Sequence, residues 1–185
     1  NGTIIGEGAA MFVLEKKSTT EKRGAPIYAV YENSFSKCDL NNYRQYAQNP
    51  NKAADLIDRT LEQADLGPND ISLVSSSASG SPDGDRLEGR ALKKVFRDIL
   101  EDLPVTAVKS ITGDTFSASG GFQIAAGLYA IRENKIPSTL NSDNPDPECY
   151  VKRLVSKPEL CDMNNILVSC VSPMGQNAAM ILSKA

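Results

Sequence analysis

The run Lys109-Ser110-Ile111-Thr112-Gly113-Asp114 stands in a chain of 185 residues that contains no histidine. Before it comes the apolar, strand-like Val105-Thr106-Ala107-Val108, and after it a stretch from Phe116 to Arg132 with helical spacing of its apolar residues. A strand, a short loop carrying a lysine and an acid, and then a helix make a unit of α/β architecture. Taken alone, a Lys-Ser-x-x-Gly loop is a common turn, so its meaning is set by what surrounds it.

Outward from this loop, strand-like and helix-like periods alternate, which argues for α/β rather than for a bundle or a sandwich of sheets. Residues 9–14 and 27–31 read as strands. A helix is predicted from Asn51 to Ala64, where Ala53, Leu56, Ile57, Leu61 and Ala64 form one apolar stripe for burial. A second helix is predicted to start near Asp85, whose carboxylate can cap free N–H groups, and to carry Leu87, Ala91, Leu92, Val95 and Phe96. Further strands are predicted at 71–75, 105–108, 166–171 and 178–182, the last two joined as a hairpin through 172–176. Residues 34–50 show no period and read as a surface loop.

Composition narrows the class. The charges are 20 Lys plus Arg against 23 Asp plus Glu, a net of −3, and no basic cluster alternates with aromatics, which argues against nucleic acid. No stretch approaches the run of about twenty apolar residues that spans a bilayer. The cysteines, at 38, 149, 161 and 170, have spacings that suit neither a zinc site nor a redox pair and read as reduced thiols of a cytoplasmic protein. The Ser75 to Ser81 run could serve as a linker or cradle a phosphate, but no lysine follows where a phosphate loop needs it. Asp83, Asp85, Asp114, Asp143 and Asp146 match no metal loop and read as caps and turn residues. A nucleophile at Ser77 or Ser110 would have only Lys109 or a carboxylate as its base.

Several longer motifs occur in a fixed order. They are Gly6-Glu7-Gly8-Ala9 with Met11-Phe12-Val13-Leu14-Glu15, then Ala64-Asp65-Leu66-Gly67, then Gly84-Asp85-Arg86-Leu87-Glu88. After the lysine loop come Pro137-Ser138-Thr139-Leu140-Asn141 and Asn144-Pro145-Asp146-Pro147-Glu148-Cys149. Together these resemble, over nearly the whole chain, the second half of the β-ketoacyl synthases. The resemblance implies a thiolase-like layered α/β/α/β/α sandwich, with residues 1–185 as the C-terminal half-domain. The half that carries the nucleophile is absent from this chain. A start at Asn1, without an initiator Met and running into an expected core strand, reads as a fragment, a cleavage product or one piece of a split subunit.

The departures from the family concern its chemistry. Aligned from Asp85, the family's His-Gly-Thr falls on Ser77-Ala78-Ser79, and the His of its Lys-Ser-x-x-Gly-His loop falls on Asp114. A ketosynthase uses imidazole N–H donors to hold a developing enolate oxygen, and a carboxylate there places negative charge where negative charge forms. The glutamate that pairs with the loop lysine is Gln123, which leaves Lys109 to pair with Asp114. The Gly-Phe-Gly-Gly gating loop becomes Ser172-Pro173-Met174-Gly175, with Gln176-Asn177 after it, and a ring-locked Pro173 does not swing as a gating Phe does.

This pattern is similar to the chain-length factor, the ketosynthase-like beta subunit of type II polyketide synthases. Pro82-Asp83-Gly84-Asp85-Arg86 and the lysine loop fit that form, although Ser77 is not acidic and Asp114 not basic as the subgroup often has them. The resemblance implies a non-catalytic subunit whose Ser172–Gly175 segment borders the polyketide tunnel. It further implies three partners, namely an N-terminal half of the same subunit, an active ketosynthase and an acyl carrier protein, with no cofactor and no metal. Two other roles fit the same residues. One is a decarboxylase of malonyl thioesters that supplies starter units and uses Lys109 and Asn177, and the other is a degenerate structural paralogue.

Overall fold

The computed structural model describes residues 2–39 and 45–185. Its helices are α1 (Lys17–Lys22), α2 (Asn51–Gln63), α3 (Pro82–Phe96), α4 (Lys109–Thr112) and α5 (Ser119–Glu133). Its strands are β1 (Val30–Cys38), β2 (Ile71–Ser75), β3 (Val105–Thr106), β4 (Lys135–Ile136), β5 (Glu159–Leu160), β6 (Asn165–Val171) and β7 (Gln176–Ser183).

Five strands form one sheet in the order β1-β7-β6-β2-β3, with β2 parallel to β3 and β6, and with β6, β7 and β1 successively antiparallel. Successive residues of a strand point to opposite faces, and the sheet uses both. Val74, Leu167 and Ile181 pack on one face against Leu56, Ile57 and Leu61 of α2 and Leu92, Val95 and Phe96 of α3. Their neighbours Leu73, Ile166 and Leu182 turn to the other face and meet Ala130 and Ile131 of α5, with Ile136 and Met163. The result is a helix–sheet–helix layering of the thiolase type. The α2 stripe and the β6–β7 hairpin lie where the sequence predicts them.

Four expectations need correction. Residues 9–14 form no strand: among the described residues none pairs with them, and Met11 and Val13 are 94% and 89% exposed. A strand exists only through a ladder partner, and this segment instead runs past α5, where Ala10 lies against Gly121. The strand expected at 27–31 begins at Val30 and runs on to Cys38, so Ser34 to Cys38 belong to it rather than to a loop. As an edge strand it shows no clean alternation of burial, and backbone pairing to β7 defines it. The remainder of the predicted 34–50 loop lies partly outside the described residues.

Strand β3 stops at Thr106, because the Ala107 N–H donates to Thr139 Oγ1 and the chain then turns into α4. Helix α3 starts at Pro82, with Ser81 before it, and Asp85 lies inside its first turn rather than at its cap. Proline at the first helical position needs no N–H donor, which explains the earlier start.

Candidate functional site

The site is built where β2, α3, α4 and the start of α5 meet. Strand β2 ends at Ser75, and Ser77 follows it, 3% exposed, with its hydroxyl donating to the Val171 carbonyl at 3.3 Å. Glu88 comes from α3, 3% exposed, and its two oxygens accept the N–H groups of Ser77 and Ala78 at 2.9 and 3.1 Å. Burial pushes the Glu88 carboxyl above the usual range, against the pull of those two donors. Burial and the nearby Glu88 charge push Asp85, one turn earlier, up to about 6.

The lysine loop folds as the single turn α4, with its corner at Gly113. Lys109 Nζ lies 3.3 Å from Asp114 Oδ2. The other Asp114 oxygen accepts Ser119 Oγ at 2.8 Å and the Phe116 N–H at 3.0 Å. Burial works to raise the Asp114 carboxyl, but Ser119 and the charge of Lys109 outweigh it and hold the group below the ordinary carboxylate range. Backbone bonds tie the same loop to the chain's first residues, from Asp114 N–H to the Ile4 carbonyl at 2.8 Å and from Gly6 N–H to the Asp114 carbonyl at 3.0 Å.

Gln123 is fully buried and does not hydrogen-bond Lys109. Its amide donates to the Ser75 and Ser169 carbonyls at 3.1 and 2.8 Å and accepts Cys170 Sγ at 3.0 Å, so it stitches β2 to β6. The Ser172–Gly175 segment is the tight turn of the β6–β7 hairpin, closed by a Gly175 N–H bond to the Ser172 carbonyl at 3.0 Å.

A cavity of about 710 Å³ opens beside these groups, bounded by the first residues, the start of α3, α4 and the stretch 139–154. Leu92, Val151 and Leu154 give it apolar walls, and Asp85, Glu88 and Lys109 give it polar ones. Of the degenerate family positions and the hairpin turn that the sequence singled out, Lys109 lies on this wall, as do Ser110, Asp85 and Asp146; Ser77, Asp114, Gln123 and Ser172–Gly175 do not. Asp85 and Glu88 escaped the sequence reading as functional groups. The available signal was that Glu88 falls on the same α3 face as the apolar Ala91, Leu92 and Val95, an unexpected place for an acid.

The arrangement limits the chemistry. The Ser77 hydroxyl is spent on a carbonyl, and Ser110 Oγ donates to Ala107 O and accepts the Leu140 N–H, so neither hydroxyl is paired with a base. Burial pushes the Cys149 and Cys170 thiols up to about 11, which keeps both from acting as thiolates near neutral pH. The carboxylates of Asp85 and Glu88 stand beside the serine run, and Glu88 already accepts the Ser77 and Ala78 N–H groups, an unfavourable setting for a phosphate. Among the described residues no three His, Cys, Asp or Glu side chains are placed to hold a metal ion, and no helix is long and apolar enough to cross a membrane.

The sequence profile described as "Beta-ketoacyl synthase, C-terminal domain" matches residues 28–143. The tetracenomycin polyketide synthase ketoacyl synthase alpha subunit of Streptomyces glaucescens is 33% identical over 149 residues, which cover 80% of this chain and 35% of that protein. The 3-oxoacyl-acyl-carrier-protein synthase 2 of Coxiella burnetii is 28% identical, over 100% of this chain and 44% of that protein. Among solved structures, the ishigamide ketosynthase/chain length factor superposes with a TM-score of 0.92 at 28% identity, over 100% of this chain and 45% of that one. The chain therefore spans less than half the length of these relatives. The matched profile, the shared thiolase-like fold and the ordered motifs establish that this chain belongs to the β-ketoacyl synthase family, through its C-terminal domain.

Proposed function

We propose that this chain is the C-terminal half-domain of a non-catalytic, chain-length-factor-like subunit of a type II polyketide synthase. In this reading it pairs with an active ketosynthase, and an acyl carrier protein delivers the chain to the assembly. The observation that carries the reading is the state of the two positions where the family has its catalytic imidazoles. Ser77 donates to a backbone carbonyl, and Asp114 is an anion tied to Lys109, so neither offers an N–H donor to an enolate oxygen.

An N-terminal half of the same subunit would pair with residues 9–14 and cover their exposed apolar side chains, at about 25 cal/mol per Å² of apolar surface removed from water. The Ser172–Gly175 turn would form a fixed part of the tunnel wall, and a cytoplasmic location suits the reduced thiols. The superposition on a ketosynthase/chain length factor assembly supports the same assignment.

The test is to incubate the assembled subunit, with its partner ketosynthase inactivated at the nucleophile, with malonyl carrier protein and to weigh the product. Unchanged malonyl carrier protein is expected. Accumulation of acetyl carrier protein would favour the starter-unit decarboxylase instead.

A further inference from the structure

Helix α2 opens with a feature that its own electrostatics disfavours. Its first turn carries Lys52 and no acid, so a cation stands at the positive end of the helix dipole. The cation is held there by Asp39, whose Oδ1 lies 2.7 Å from Lys52 Nζ, with the Asp39 side chain 7% exposed and that of Lys52 39% exposed. Asp39 is the residue just past β1, where the β1–β7 ladder reaches Cys38 opposite Gln176. The next rung is made by Asp39 itself, its N–H donating to the Gly175 carbonyl at 2.7 Å.

Gly175 has φ +77°, and a side chain on it would run into the backbone carbonyl of Asp39. The turn is closed further by the Met174 N–H bond to Ser172 Oγ at 3.1 Å, with Pro173 between them. One continuous set of contacts thus runs from an ammonium on α2, through a buried carboxylate, to the backbone of the Ser172–Gly175 turn.

We infer that Lys52 is a positioning residue that locks the Ser172–Gly175 turn in one conformation through Asp39. The inference rests on the proposed role of that turn as tunnel wall only for its consequence, a fixed tunnel shape and hence a narrow range of product lengths. The lock itself is a property of the fold. It acts because the Asp39 carboxylate, paired with Lys52, sets the position of the Asp39 backbone, and that backbone both receives the turn and bars any side chain at Gly175.

Hydrogen exchange of the assembled complex tests it, comparing wild type with Lys52→Met and Lys52→Arg. In Lys52→Met, amides of residues 174–177 and of Asp39 are expected to exchange at least about tenfold faster, with β2 and α3 unchanged, the signature of a local opening. Lys52→Arg should restore protection. Exchange within about twofold of wild type, a rise shared equally by β2 and α3, or no rescue by arginine would each overturn the lock. Product lengths read the second layer. If Lys52→Met loosens the turn and the product range stays as narrow as in wild type, the lock stands and the tunnel-wall reading fails.

Discussion

Lys109 Nζ and Asp114 Oδ2 face each other at 3.3 Å, across α4 and the Gly113 corner, with only 10% and 16% of their side chains exposed. In a family whose members use imidazole at the second position, the lysine here is matched by an anion five residues on. The pair forms a closed electrostatic unit, with Ser119 and the Phe116 N–H completing the carboxylate's shell.

Removing the cation should therefore expose the cost of that unit. Lys109→Met is expected to lower the stability of the subunit by about 1–3 kcal/mol, the scale of leaving a buried partner unsatisfied. Chemical denaturation of wild type and variant measures it. Equal midpoints would mean that Lys109 is solvated and that the pair contributes nothing.

Asp85 gives a prediction with a sign. Its folded pKa, about 6, lies above the ordinary 3.8, because burial and Glu88 disfavour the anion while Lys109 and two N–H groups oppose them less strongly. A raised folded value means that its contribution is fully present below about pH 4 and is lost as pH rises through 6. Asp85→Asn should thus remove that loss, so the variant gains stability relative to wild type between pH 4 and pH 7. Melting temperatures across this range decide it, and parallel curves would contradict the assignment.

Asp114 has the opposite sign. Its carboxyl is held below the ordinary range, so its stabilisation is present at neutral pH and is lost as pH falls through that lowered value. Asp114→Asn should flatten the acid limb of the stability curve and leave the limb between pH 4 and pH 6 unchanged.

Gly89 tests the roof of the cavity. It lies against the backbone of Cys149, and a methyl group there would collide with the Cys149 carbonyl. Gly89→Ala should force the 146–149 turn away from α3 and destabilise by about 1–3 kcal/mol, as overpacking does. Urea midpoints within error of wild type would show that the turn moves freely.

Much of this was legible in the sequence wherever a local pattern decides the outcome. The α2 stripe at Leu56, Ile57 and Leu61 and the hairpin through Ser172–Gly175 follow from periodicity and turn chemistry, and the Lys109–Asp114 pair follows from two substitutions read together. Residues 9–14 look like a strand, yet pairing is a property of two segments, and no described segment forms a ladder with them. Strand β1 shows the converse, since Ser34 to Cys38 have no pattern and β7 recruits them. The buried Glu88 and the Lys52–Asp39–Gly175 contacts link residues distant along the chain or hidden on an apolar helix face, which no spacing rule reports.

The central claim is that this subunit supplies no condensation chemistry. It is tested most directly by the rate of product formation of the assembled complex carrying Ser77→Ala or Asp114→Asn. The account predicts rates within about threefold of wild type, because neither side chain stabilises a transition state. A fall of about a hundredfold, the scale of losing an oxyanion donor, with the complex still assembled, would contradict it.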